Sequence, residues 1–249
     1  VMSDHEWEFP EALQPRAEDV DFDLDVALNA VVTLRSQVPE HAYTASGLGT
    51  ERIGNGIVID DDGLVLTIGY LIAEANSIWL TSNSGATVAA YPLAYDHITG
   101  FGLVRAIEPL KATVLQRGST NSCERGDRVF LISQGGCTHA LKANVIDKRE
   151  FAGYWEYYLS EALFTAPAHP QWGGAALVGN DGKLLAVGSL LVEEAMDGEK
   201  VQGNMLVPID LLNDSLGDLL STGRSSANPR PWLGMFTIEH KGRLMVSGV

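Results

Sequence analysis

The sequence predicts an all-β chain of two antiparallel six-stranded barrels, with one helix near its start and another near its end. Three observations predict it. The 26 glycines fall between short apolar runs, the pattern of many strands joined by turns rather than of long helices. The runs form two sets that divide near residue 117, and roughly six strands fit each set, enough to close a small barrel. Turn signatures such as Asp60-Asp61-Asp62-Gly63, Asn83-Ser84-Gly85 and Asn180-Asp181-Gly182 join neighbouring runs as hairpins.

Taken in order, residues 1–20 are polar and acidic, hold Pro10 and Pro15, and read as an extended arm. Trp7 and Phe9 are out of place in a free tail and call for a surface to pack on, either the body of the fold or a neighbour. Residues 21–116 carry a helix and the first barrel. Leu24, Ala27, Leu28, Val31 and Val32 recur at helical spacing behind Asp21, Asp23 and Asp25, acids suited to a helix start. Val31-Val32-Thr33-Leu34 either continues that helix or opens the first strand. The barrel strands follow at 57–59, 64–67, 77–81, 87–95 and 101–105. Residues 117–223 carry the second barrel and a helix, with strands at 128–132, 140–147, within the aromatic-rich 154–164, and at 175–178, 184–191 and 201–207. The helix spans 210–220, with Asp210 as N-cap, Pro208 ahead of it and Gly223 as its stop. Residues 224–231 are a linker by composition, and 232–249 are either an extra strand or the opening of a further domain.

Charge and cysteine usage narrow the function classes. Seventeen basic against 32 acidic residues leave a net charge of −15, which repels phosphate backbones and anionic lipid heads and argues against nucleic-acid and membrane-surface partners. Cys123 and Cys137 are too few for a disulfide framework and read as reduced thiols. No apolar run is long enough to span a bilayer, and the N-terminus lacks the basic start and apolar stretch of a signal peptide. The expected compartment is the cytoplasm if Met2 is the native start, and the periplasm if the natural chain begins earlier. No cofactor or metal is expected, because His97, His169 and the nearby carboxylates follow no known ligand spacing.

Four segments carry the functional signal. They are Gly54-Asn55-Gly56-Ile57-Val58-Ile59, Leu66-Thr67-Ile68-Gly69-Tyr70, Thr99-Gly100-Phe101-Gly102-Leu103-Val104-Arg105 and Pro170-Gln171-Trp172-Gly173-Gly174-Ala175-Ala176. In order and spacing the chain resembles the HtrA (Deg) branch of the trypsin-like serine proteases over about residues 48–240. Arg125-Gly126-Asp127-Arg128-Val129 and Asn204-Met205-Leu206-Val207-Pro208, the latter near the specificity pocket, add to the likeness, and Arg230-Pro231-Trp232-Leu233-Gly234-Met235 looks like the opening of that family's PDZ domain.

The resemblance implies a trypsin-like fold in which Tyr70, Gly100 and Trp172 take the places of the catalytic His, Asp and Ser. It makes Pro170, Gln171, Gly173 and Gly174 the counterparts of the oxyanion loop. None of the three triad places carries its chemistry. A phenol with a pKa of about 10 is no base at neutral pH, glycine offers no carboxylate, and indole has no nucleophilic atom. The expectation is a pseudoprotease that binds protein or peptide along its old groove. The resemblance further implies a homotrimer held by N-terminal aromatics, a part that falls to Trp7 and Phe9. The alternative is an active serine endopeptidase with a displaced site, which needs a Ser or Thr hydroxyl within reach of His97 or His169. Asp96 adjoins His97, but neighbours on an extended chain face opposite ways. His139 beside Cys137 reads as a loop pair. A purely structural subunit is a third class.

Overall fold

Each run of alternating or wholly apolar residues pairs with its neighbour until the sheet has no edge left. In a computed structural model, which describes residues 7–153, 157–196, 199–226 and 234–248, strands β1 (Val31–Gln37), β2 (Glu51–Val58), β3 (Leu64–Ile68), β4 (Ser77–Thr81), β5 (Thr87–Tyr95) and β6 (Phe101–Ala106) close in the order β1-β2-β3-β6-β5-β4. Strands β7 (Arg128–Ile132), β8 (Ala140–Ala152), β9 (Tyr158–Ala166), β10 (Ala176–Val178), β11 (Leu184–Met196) and β12 (Glu199–Pro208) close in the order β10-β11-β12-β9-β8-β7. All pairings within the barrels are antiparallel, so the all-β, two-barrel expectation holds.

Helix α1 (Leu24–Asn29) is shorter than its apolar spacing suggests. The Asp23 carboxylate accepts the Val26 N–H and caps its start, and Val31-Val32 already belong to β1, where β-branched side chains pack best. A short helix α2 (Ala45–Leu48) follows β1. Helix α3 (Asp210–Thr222) buries Leu212 and Leu219 and packs on β5 and β12, tying the second half of the chain to the first barrel. Gly223 ends it at φ +74°, with its N–H on the Leu219 carbonyl. Asp210 is not the N-cap: Ile209 holds that place, and the Asp210 carboxylate instead accepts from the Ser119 hydroxyl (2.6 Å) and the Thr120 N–H (2.8 Å).

The N-terminal arm is not a free extension. Two single-turn 3₁₀ helices (Glu11–Leu13 and Ala17–Asp19) shape it, and Pro15 is buried. The Phe9 N–H donates to the Thr138 carbonyl at 3.0 Å. Trp7 and Phe9, which the resemblance assigns to contacts between subunits, lie against the chain's own second barrel. Trp7 meets the His139 ring edge-on at 4.7 Å, and Phe9 meets the His169 ring at 5.0 Å. Cys123 and Cys137 are free thiols, both half-buried. Beyond α3, β13 (Phe236–His240) and β14 (Arg243–Gly248) form a separate hairpin. The proposed PDZ opening falls mostly on residues 227–233, outside the described residues.

Candidate functional site

Tyr70 and Trp172 arrive from opposite barrels at one pocket of about 320 Å³. Its walls are apolar (Ile53, Leu71, Pro170), aromatic (Tyr70, Trp172) and carboxamide (Asn55, Gln134, Gln171), closed by the backbones of Gly54 and Gly173. Tyr70 is the one ionisable side chain among them. A larger, more open cavity of about 590 Å³ lies on the second barrel beside Arg125, Ile146, Pro167 and Val201. It holds none of the sequence-predicted site residues, and the pocket between the barrels is therefore the candidate site.

Tyr70 sits on the 3₁₀ turn that ends β3. A buried arginine fixes that turn. Arg52 Nη1 donates to the carbonyls of Tyr70 (2.6 Å) and Ala73 (3.0 Å), Nη2 to the Thr44 hydroxyl (2.8 Å), and Nε to the Gly49 carbonyl (3.2 Å). Burial pulls its guanidinium below the ordinary arginine value, against the charges of Glu74 and Tyr95. Hydrogen bonds from Thr44 and Tyr43, with the charge of Arg52, hold the exposed Glu74 carboxyl below its ordinary value. The Tyr70 hydroxyl donates to the Ser189 carbonyl at 2.8 Å, so its proton is committed across the cleft.

The loop 170–174 is held by Asn55, 1% exposed. Its Nδ2 donates to the carbonyls of Gln171 and Gly173, each at 2.9 Å, its own N–H to the Gly173 carbonyl at 2.8 Å, and its Oδ1 accepts the Gln134 N–H at 2.7 Å. Gly174 needs its glycine: at φ +75°, a Cβ there would stand 2.1 Å from the Asn55 carbonyl oxygen. Asn55→Ala is expected to cost about 2–4 kcal/mol, because three side-chain hydrogen bonds go and buried partners are left unpaired. Urea denaturation reads the loss and hydrogen exchange at Gln134 N–H reads the loosening. A variant within about 0.5 kcal/mol of the parent contradicts this account of the loop.

Gly100 does not reach the pocket. Its carbonyl accepts the Gly69 N–H at 2.7 Å, at φ +83°, and the Tyr157 ring lies where a side chain would stand: an added Cβ would be 2.1 Å from Tyr157 Cε1. The Tyr157 hydroxyl hydrogen-bonds the Ser189 Oγ. Two phenols thus converge on Ser189, one on its carbonyl and one on its hydroxyl. Sequence reading missed Tyr157, Ser189, Asn55 and Gln134. The aromatic-rich run before β9 was the available signal for Tyr157; the rest follow from pairings across the chain.

The histidines and acid named for a displaced site are placed elsewhere. Asp96 accepts the Thr99 hydroxyl at 2.7 Å and the Ile98 N–H at 3.1 Å, which closes a turn. His97 is exposed, its ring 4.0 Å from that of Tyr95. His169 is fully buried; Nε2–H donates to the His139 carbonyl at 2.7 Å and Nδ1 accepts the Gln171 N–H at 3.0 Å. Desolvation lowers its pKa to about 4. Both ring nitrogens are spent on the backbone, and among the described residues no hydroxyl bonds to His97 or His169. Thr138 Oγ1 does lie 3.0 Å from Nδ1 of its neighbour His139, whose ring meets Trp7 edge-on, but among the described residues no carboxylate bonds to that imidazole.

Comparison with known proteins bears on this geometry. The family model "Trypsin-like peptidase domain" matches residues 54–187, more than half of the chain. A "probable periplasmic serine endoprotease DegP-like" of Pseudomonas fulva is 22% identical over 207 residues, 81% of this chain and 42% of the relative. The "serine endoprotease DegS" of Haemophilus influenzae is 23% identical over 187 residues, 71% of this chain and 53% of the relative. The chain spans about half the length of these relatives. Among solved structures, the HtrA-type protease AlgW with a tripeptide superposes at TM-score 0.64 with 18% identity, covering 91% of this chain and 74% of that one. AlgW with a decapeptide gives 0.62 and 15%, covering 92% and 79%. These likenesses establish the trypsin-like HtrA fold. Among the described residues no helix is long and apolar enough to cross a membrane.

Proposed function

We propose that this chain, which belongs to the trypsin-like peptidase domain family, cleaves no peptide bond and uses the cleft between its barrels to bind polypeptide. One observation carries the reading: the loop that should supply both nucleophile and oxyanion donors carries Trp172 and Pro170 at those places. In a serine protease the tetrahedral oxyanion is bound by the N–H of the nucleophile and the N–H two residues before it. Proline has no N–H. Indole offers only a donor and fills the space of a scissile carbonyl.

The other two places agree. The Tyr70 proton is held by the Ser189 carbonyl, and Gly100 is covered by the Tyr157 ring. Loss of a triad member leaves at best roughly 10³–10⁴-fold over water from backbone donors and binding, and here those donors are depleted too. What the fold keeps is a shaped, uncharged pocket between the barrels, lined by apolar, aromatic and carboxamide side chains. That the HtrA-type protease AlgW is solved with a tripeptide and with a decapeptide supports a peptide as the kind of partner. The periplasmic naming of the DegP-like relatives favours the periplasm over the cytoplasm for this chain.

Casein turnover and labelling by a fluorophosphonate probe test the reading together with peptide binding. The expected result is neither cleavage nor label, with saturable binding of peptides from an array. Cleavage by protein purified free of contaminating proteases overturns it.

A further inference from the structure

Charge decides what the pocket between Tyr70 and Trp172 takes. Its polar side chains are carboxamides. Asn55 is consumed by the loop and by the Gln134 N–H. Gln134 and Gln171 are not: the Thr33 hydroxyl donates to Gln134 Oε1 at 2.8 Å, and Gln171 Oε1 lies 3.3 Å from the Ser133 hydroxyl, whose single proton it shares with the carbonyls of His139 (3.1 Å) and Gln134 (3.2 Å). One end of each carboxamide is thereby anchored, and the Nε2 end has no partner among the described residues. Ile53, Leu71 and Pro170 supply the apolar remainder.

We propose that this pocket binds one flat, uncharged side chain of a polypeptide partner, aromatic or carboxamide-bearing, and discriminates against Lys, Arg, Asp and Glu. The inference rests on the polypeptide-binding reading above and adds the chemistry of the preferred residue. At about 320 Å³ the pocket lies at the small end of ligand sites, which run from about 300 to 1,000 Å³, and it suits a single side chain. The two rings offer a face to stack on, and the Gln amides pair with a carbonyl. A carboxylate entering here finds no cation in the walls, and the chain's net charge of −15 opposes it. An ammonium finds no anion. Cation–π attraction to Tyr70 and Trp172 is weaker than the cost of desolvating an unpaired charge.

The test is isothermal titration of the full chain with N-acetylated, C-amidated pentapeptides Gly-Ser-X-Ser-Gly, where X is Phe, Gln, Ala, Lys or Glu. Phe and Gln peptides are expected to bind at least about tenfold more tightly than Lys and Glu peptides. Gln134→Glu and Gln171→Glu are close isosteres that keep an oxygen for Thr33 or Ser133. Each is expected to weaken the Phe and Gln peptides about tenfold and to narrow or reverse the disadvantage of Lys. Equal binding of all five peptides, or Lys or Glu binding best to the parent chain, overturns the specificity while leaving polypeptide binding intact. Binding by none of the five overturns both. Insensitivity to both glutamate variants, each shown to unfold like the parent, overturns the assigned pocket.

Discussion

A chain carrying Tyr70→His, Gly100→Asp and Trp172→Ser together remains inactive on casein and is less stable than its parent by about 2–5 kcal/mol. The three residues restore the triad in sequence, but the structure has closed around their absence. Gly100 sits at φ +83°, a conformation that costs a residue with a Cβ about 1–2 kcal/mol. The new Cβ would also stand 2.1 Å from a Tyr157 ring whose hydroxyl is bonded to Ser189, and overpacking of that kind costs about 1–3 kcal/mol. Histidine at position 70 surrenders the 2.8 Å bond to the Ser189 carbonyl. Even a well-placed serine at 172 has Pro170 two residues before it, without the N–H the oxyanion needs. Casein hydrolysis and urea denaturation of the triple variant check both halves of the expectation. Adding Pro170→Gly and Tyr157→Ala relieves two of the four obstacles named here, the missing N–H and the ring clash, and stability is expected to recover in part in that background. Casein cleavage by the triple variant alone contradicts the argument that the scaffold, and not merely its three side chains, has left catalysis.

The barrels were legible because their signals are local. Thr87–Tyr95 and Arg128–Ile132 begin and end as strands where their apolar and β-branched runs begin and end. The strand read from the sequence over 140–147 stops short of Lys148-Arg149-Glu150, yet β8 continues to Ala152. There the polar side chains are held by partners on β9: Arg149 lies 4.1 Å over the Phe164 ring, and Lys148 pairs with Glu161 at 3.2 Å. Asp210 misled for a related reason. Its carboxylate looks like a cap from the sequence, but Ser119 and Thr120, some ninety residues earlier, draw it away. The candidate site was legible in outline: Tyr70 and Trp172 do share a pocket with Pro170, Gln171 and Gly173. What gives the pocket its shape was not. Asn55 to Gly173 and Tyr157 to Ser189 are long-range bonds, and nothing in the composition around Gly54-Asn55-Gly56 says that a carboxamide there anchors a loop from the other barrel.

Acid should loosen this loop through His169. Its pKa falls from 6.5 to about 4, chiefly by desolvation, against the stabilising bond to the His139 carbonyl and together with the charge of His139. The sign follows from proton counts. Between pH 6.5 and 4 the unfolded chain binds a proton at this ring and the folded chain does not, so stability rises with pH across that window. The contribution is complete above about pH 6.5 and is lost as pH falls toward 4, amounting to about 3 kcal/mol at the bottom of the window. The groups around the ring explain why it stays neutral. Trp7 and Phe9 cover it edge-on at 5.8 and 5.0 Å, Asn204 Oδ1 takes the His169 N–H at 2.6 Å, and the Gln171 N–H points at Nδ1 at 3.0 Å. Protonation at Nδ1 sets a donor against that last donor, and Gln171 adjoins Trp172. The first element to yield is therefore the wall of the pocket, with the arm that covers His169 released alongside it. Urea denaturation between pH 4 and 8 measures the effect against His169→Gln, which cannot take up the charge. Other groups, such as Asp210 and Glu74, titrate in both proteins and cancel in the difference. The parent is expected to lose about 3 kcal/mol more than the variant over that range. Parallel stability profiles for the two proteins would show that the His169 ring is charged, or free to charge, in the folded chain, and would remove the argument that its two backbone bonds hold the loop in place.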